Sequence, residues 1–223
     1  MSPLAYTLVR SRRRSIALSV ARDATRTVRA PLRTPVSFIE AFIEEKLPWV
    51  ERVMERLRGQ SQGVTHRYET GERFWFLGRE CSLRVSEEAS RSLVFSNGEF
   101  LLSKHAHYRA RSVFLEWYKR EAKKILLERV SFFARENDLE YQSVKINAAR
   151  TRWGSCSGKG SLNFSFRLVM APLSVIDYVV VHELSHIEHK NHSRTFWKAV
   201  AVMFPGFETE RRWLKKNGHL LEC

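Results

Sequence analysis

In the segment Val181-His182-Glu183-Leu184-Ser185-His186-Ile187-Glu188-His189-Lys190-Asn191-His192, His182 and His186 stand four residues apart. On a helix advancing about 100° per residue their imidazoles project from one side, about 40° apart, and can share one tetrahedral metal ion. Glu183, the next residue round, reaches a metal-held water without taking a coordination position, which is the division of labour in H-E-x-x-H hydrolysis. A five-residue pattern with two free positions also arises by chance in ordinary helices. A helical wheel weighs against that: with Ile176 at zero, Val180, Leu184 and Ile187 fall within about 80°, whereas His182 and His186 fall near 240° and 280°, off the apolar side.

A catalytic zinc site usually takes three protein ligands and leaves the fourth position for water, so a third donor is required. His192 lies six residues past His186, far enough for the helix to end at Lys190-Asn191, with Asn191 as a left-handed cap, and for the chain to turn back. His189 is the rival. On a continued helix it would sit about 10 Å further along the axis than His182, too far to share one ion, so His192 is preferred. Glu188 points away from His186.

Outward from this helix, the chain reads in two parts, 1–105 and 106–223. The first is expected to be antiparallel and β-rich, with strands at Tyr6 to Val9, Ser15 to Ala21 and Thr25 to Ala30. A helix over Val36 to Leu57, capped by Ser37 and stopped by Gly59, follows; Pro48 must kink or split it. A polar loop spans Gly63 to Gly71. Further strands are expected at Arg73 to Leu77, Cys81 to Val85, Leu93 to Phe95 and Phe100 to Leu102, with turns at Gly78 and Asn97-Gly98. The second part opens on a long helix from Tyr108 to Glu136 that uses Val113, Trp117, Ile125, Leu126 and Phe133 as its apolar positions. Then come a strand at Ser143 to Ile146, a loop over Gly154 to Gly160, a strand at Ser161 to Phe166, and helices over Ser174 to His189, Ser193 to Met203 and Phe207 to Asn217. The class is α+β.

The 223 residues carry 38 Lys and Arg against 24 Asp and Glu, a net charge of +14, on a 43% hydrophobic composition. That excludes disorder, collagen and low complexity. Cys81, Cys156 and Cys223 are odd in number with no C-x-x-C spacing, which fits a reducing compartment better than a disulfide framework. No export signal stands before Arg12-Arg13-Arg14, and no apolar run approaches the roughly 20 residues of a spanning helix. A cytoplasmic protein with no membrane partner is expected. Arg10, Arg12, Arg13, Arg14, Arg22, Arg26, Arg29 and Arg33 face the single acid Asp23 within residues 1–35, half the net charge in one segment. Such a field attracts polyanions, but alternation with Ile16, Leu18, Val20 and Val28 suggests the solvated face of strands.

The run HELSHIEHKNHSRTFW, preceded by RTRWGSCSGKGSLNFSFRLVMAPLSVIDYVVV, resembles the YgjP-like metallopeptidases, which are related to the SprT-like zincins. The likeness extends to the Tyr6 to Ser11 strand, Arg29-Ala30-Pro31, the Trp49 helix, the Arg73 to Leu83 strands and Trp213-Leu214-Lys215. It implies a zincin-like C-terminal part with zinc (Zn2+) on His182, His186 and His192 and Glu183 as general base. His189 departs from the pattern, since no histidine is expected there. The wider metzincin signature shares the three-histidine spacing, but it has glycine where His189 stands, and no Met-turn follows here.

The expected activity is therefore zinc-dependent cleavage of peptide bonds in a peptide or protein, with substrate along the edge of the Ser161 to Phe166 strand. Tyr178 either binds substrate or packs on Trp197, the Arg152 to Cys156 loop is a candidate cleft wall, and Cys156 reads first as a small buried thiol. One rival is a nucleic-acid-associated protein that works through its arginine-rich surface and has a structural zinc. A hybrid of the two, suggested by SprT-like relatives, is a protease acting on DNA-bound proteins. A second rival hydrolyses a non-peptide amide.

Overall fold

The computed structural model describes residues 5–21, 24–59, 66–89 and 91–222. Leu4, Arg22, Asp23, residues 63–65 of the expected polar loop, and Cys223 lie outside the described residues. The chain forms two compact units, 1–63 and 64–223. The division expected at residues 105 and 106 falls inside the second unit.

In the first unit, β1 (Thr7–Ser11), β2 (Ala17–Val20) and β3 (Arg26–Pro31) form a sheet in the order β1-β3-β2, followed by α1 (Val36–Gly59). Val28 and Ala30 of β3 point inward with Arg29 between them exposed, the period-two pattern of a half-buried strand. They meet Ile39 and Ile43, one turn apart on α1. The expectation of antiparallel pairing holds for β2 and β3 only, since β1 runs parallel to β3. α1 continues through Pro48 as one helix rather than splitting. Arg10 is not a free surface charge, because its Nη1 donates to the carbonyls of Pro31, Leu32 and Thr34 at 3.3, 2.9 and 2.8 Å.

In the second unit, β4 (Arg73–Phe76), β5 (Arg79–Ser86), β6 (Leu93–Ser96) and β7 (Glu99–Ser103) form a sheet in the order β4-β5-β7-β6. Asn97 and Gly98 both have positive φ, 51° and 80°, as a two-residue hairpin turn demands. β5 and β7 pair in parallel, so this sheet too is mixed. A 3-10 turn over Lys104–Arg109 leads into α2 (Ala110–Glu136), which buries Val113, Phe114, Trp117, Tyr118, Leu126, Val130 and Phe133 at helical spacing. Ile125, expected among them, is only half-buried.

The same core continues into the C-terminal elements, which is why residues 105 and 106 do not divide it. Leu77 and Gly78, at the β4-β5 turn, donate to the carbonyls of Val169 and Met170 at 2.9 and 3.0 Å. β8 (Ser143–Asn147), β9 (Gly154–Cys156) and β10 (Ser161–Ser165) form a third sheet in the order β8-β10-β9. β9 occupies part of the stretch expected to be loop. β10, expected to offer an edge to substrate, is central and paired on both sides. The edge strands of this sheet are β8 and β9.

α3 (Leu173–Ser185), α4 (Arg194–Met203) and α5 (Phe207–Asn217) complete the unit. α3 buries residues all round its circumference, Val175 to Val181 and then Glu183 to Ser185, as a helix enclosed by its neighbours must. It stops at Ser185, four residues before the expected end. Lys190 Nζ donates to the carbonyls of His186 and Ile187 at 3.0 and 2.7 Å, taking up acceptors that a continued helix would give to amides. Asn191 is not among the residues with positive φ, so no left-handed cap forms there. Among the described residues no helix is long and apolar enough to cross a membrane.

Candidate active site

His182 and His186 sit in the last turn and at the C-cap of α3, and His192 sits in the turn before α4, whose N-cap is Ser193. One nitrogen from each of the three lies within 4.8 Å of the others, the one such convergence of His, Cys, Asp or Glu donors among the described residues. His189, Glu188 and Cys156 are not in it. The Nε2 atoms of His182 and His192 are 3.0 Å apart, close to the roughly 3.4 Å that separates two nitrogens on a tetrahedral zinc. The donor set therefore suits a zinc ion.

His189 has a different part. The early end of α3 brings its backbone carbonyl 2.9 Å from His186 Nδ1. A carbonyl only accepts, so Nδ1 is the donor and Nε2 is the nitrogen left to face a metal. His182 is oriented by packing instead. Its Nδ1 is buried without a hydrogen-bond partner among the described residues, while Phe196 and Tyr178 meet its ring edge-on at 4.9 and 5.9 Å. Phe196 also lies 4.6 Å from the His186 ring and 4.8 Å from the His192 ring, making it the common floor of the three. Burial, then the neighbouring histidines, lowers the His182 pKa to about 3, and His192 is lowered by the same causes. Both rings are neutral near pH 7, as ligands must be.

Glu183 is 6% exposed. Burial raises its carboxyl pKa to about 7, with Arg152 pulling it back. Gly154 of β9 lies directly against it: a β-carbon there would stand 2.5 Å from Oε1 and 2.6 Å from Cγ. The Arg152 to Cys156 segment thus ends in the strand β9, whose glycine admits the glutamate. Trp153 of this segment packs on Gly218, where an added β-carbon would stand 2.8 Å from the indole. Cys156 is half-buried, and burial pushes its thiol up.

Tyr178 packs on Phe207, not on Trp197. The rings of Tyr178 and Phe207 are 6.0 Å apart at 13°, and Phe207 stacks in turn on Trp197 at 5.4 Å and 10°. Trp197 faces His192 at 5.7 Å and 23° and carries the guanidinium of Arg211 4.4 Å from its ring. Phe207 and Arg211 went unnoticed in the sequence, where nothing local links α5 to the histidines. Their i, i+4 spacing was the available signal.

The buried acid beside three converging imidazoles defines a metal-site architecture of the hydrolytic kind. The YgjP-like metallopeptidase domain model matches residues 14–217, and the chain belongs to that family. No curated protein sequence matches it. Among solved structures it is similar to the metallopeptidase zymogen abylysin of Pyrococcus abyssi, at 20% identity and a TM-score of 0.38, over 41% of this chain and 93% of that one.

Proposed function

We propose that this metallopeptidase cleaves peptide bonds with one zinc held by His182, His186 and His192 and with Glu183 as general base. The single observation that carries the reading is the contact between buried Glu183 and the edge strand β9, beside three converging imidazoles. Bound zinc would supply Lewis acidity, polarising the scissile carbonyl and acidifying a water.

The chain's own groups account for the rest. Trp153 and Ser157 bond toward β10, through Ser165 N to Trp153 O and Ser157 N to Ser161 O, both 2.9 Å. By strand alternation the amides and carbonyls of Gly154 and Cys156 point the other way, where an extended peptide can pair with them. That pairing lays the substrate backbone beside Glu183. The Glu183 carboxylate takes a proton from the attacking water as the new C–O bond forms. It then delivers that proton to the amine nitrogen as the C–N bond breaks. A carboxyl raised to about 7 suits both halves of this exchange near neutral pH.

A structural zinc would need no glutamate at this position. Glu183→Gln should keep the metal and lower peptide hydrolysis by about 10²-fold or more. Full activity in that variant, measured with fluorogenic peptides beside metal content, rejects the general-base role.

A further inference from the structure

We propose that Arg211 anchors a carboxylate of the substrate, either the free C-terminal carboxylate or an acidic side chain within about three residues of the scissile bond. This rests on the peptidase reading above and extends it to substrate class.

Arg211 lies on α5, which supplies none of the three histidines. Its guanidinium is nonetheless held at the site, 4.4 Å from the ring of Trp197, which in turn lies 5.7 Å from both His182 and His192. Those two steps place the guanidinium carbon within about 10 Å of both histidine rings.

Among the described residues Arg211 makes no ion pair and donates no hydrogen bond. The adjacent Arg212 shows the contrast, spending its donors on the Glu208 carbonyl and the Thr209 hydroxyl at 3.3 and 3.4 Å. A solvent-exposed fork of five N–H donors thus lies over an aromatic ring with no protein acceptor among the described residues, in a chain already at +14. Beside a divalent cation such a charge is repelled unless an anion joins the two. An extended chain advances about 3.3 to 3.6 Å per residue, so a group up to about 10 Å from the ligands meets a substrate within about three residues of the cut. Carboxylate is the anion a peptide carries at that distance, and the guanidinium fork matches it bidentately.

The test uses the full chain with Glu183→Gln, so that binding is read by calorimetry without turnover. Two peptide pairs serve as probes: acetyl-tetraalanine as free acid and as amide, and an amidated peptide with Glu or with Gln at its third position. The carboxylate-bearing member of one pair or both should bind about 10 to 100-fold tighter, and the pair that discriminates identifies the source. Adding Arg211→Gln should bring that preference within about two-fold at unchanged metal content. The proposal is overturned if neither pair discriminates or if the preference survives Arg211→Gln, as it would if the metal held the carboxylate. Equal weakening of both members overturns it too, since a group acting on the scissile carbonyl would treat every peptide alike. Cleavage by the unmodified chain is assayed in parallel. Absence of cleavage with Arg211-dependent binding intact would reject the peptidase reading alone.

Discussion

Gly154 and Glu183 are in contact without room for one further carbon: a β-carbon on Gly154 would meet Oε1, Cγ and Cδ of Glu183 at 2.5, 2.6 and 2.8 Å. Gly154 is not among the glycines of positive φ, so its backbone suits any residue and the requirement is for space alone. An edge strand and a buried acid are thereby brought together, and on the proposed reading a peptide pairing with β9 would have its backbone delivered to the carboxyl.

Gly154→Ala should accordingly damage chemistry more than folding. The methyl group collides with the middle of the Glu183 side chain, not only its tip, and Glu183 is enclosed, so the carboxyl has to move. A shift of about 1 Å in a reacting group costs on the order of 10²-fold in turnover, whereas overpacking costs about 1–3 kcal/mol of stability. Peptide hydrolysis should fall by about that factor with metal content intact. Turnover within two-fold of the parent would show that β9 does not set the position of Glu183.

The histidine assignments separate cleanly in a pair of variants. His192→Ala removes one of three donors and should abolish stoichiometric zinc. His189→Ala keeps the carbonyl that holds His186 Nδ1–H, since that contact is made by the backbone, and should keep the metal. Elemental mass spectrometry on both purified proteins decides. Metal lost with His189 and kept without His192 would reverse the assignment.

The parts of this molecule legible in the sequence are those set by neighbours a few residues away. Asn97-Gly98 specifies its hairpin turn, the spacing of Val113, Trp117 and Leu126 specifies the buried face of α2, and His182 and His186 specify a shared direction from α3. What escaped was decided by distant partners. The parallel pairing of β5 with β7 and of β1 with β3 follows from crossovers that no local pattern encodes. β9 is three residues long, too short for any periodicity to show. Beyond the end of α3 at Ser185 a lysine side chain folds back onto two carbonyls, where apolar spacing alone pointed to His189. Arg211 lies over Trp197, which faces the histidines, a contact between separate helices. The family resemblance implied which residues would serve as ligands and base but was silent on what holds them in place.

Arg129 and Asp177 tie α2 to the site helix, Nε to Oδ1 at 2.6 Å and Nη2 to Oδ2 at 2.9 Å, with the aspartate 8% exposed. Burial raises the Asp177 carboxyl, and the hydrogen bonds and charge of Arg129 oppose that rise. Arg129→Ala removes the opposition and strands a buried carboxylate, which should cost about 3–5 kcal/mol at pH 7 and, in a unit of this size, lower the melting temperature by about 10 °C. The sign with pH follows from the raised folded-state pKa. Above the unfolded carboxylate value the unfolded chain ionises more readily than the folded one, so the penalty operates at neutral pH and shrinks as acid protonates the folded Asp177. The difference in melting temperature between parent and variant should therefore narrow between pH 7 and pH 5. Replacing both residues by leucine leaves no charge to strand and should recover most of the loss. Calorimetric melts of the three proteins at the two pH values check the account, and a gap that stays constant with pH would show that lost packing of Arg129 over Phe132 and Phe133, 4.9 and 5.3 Å from its guanidinium, is the larger effect.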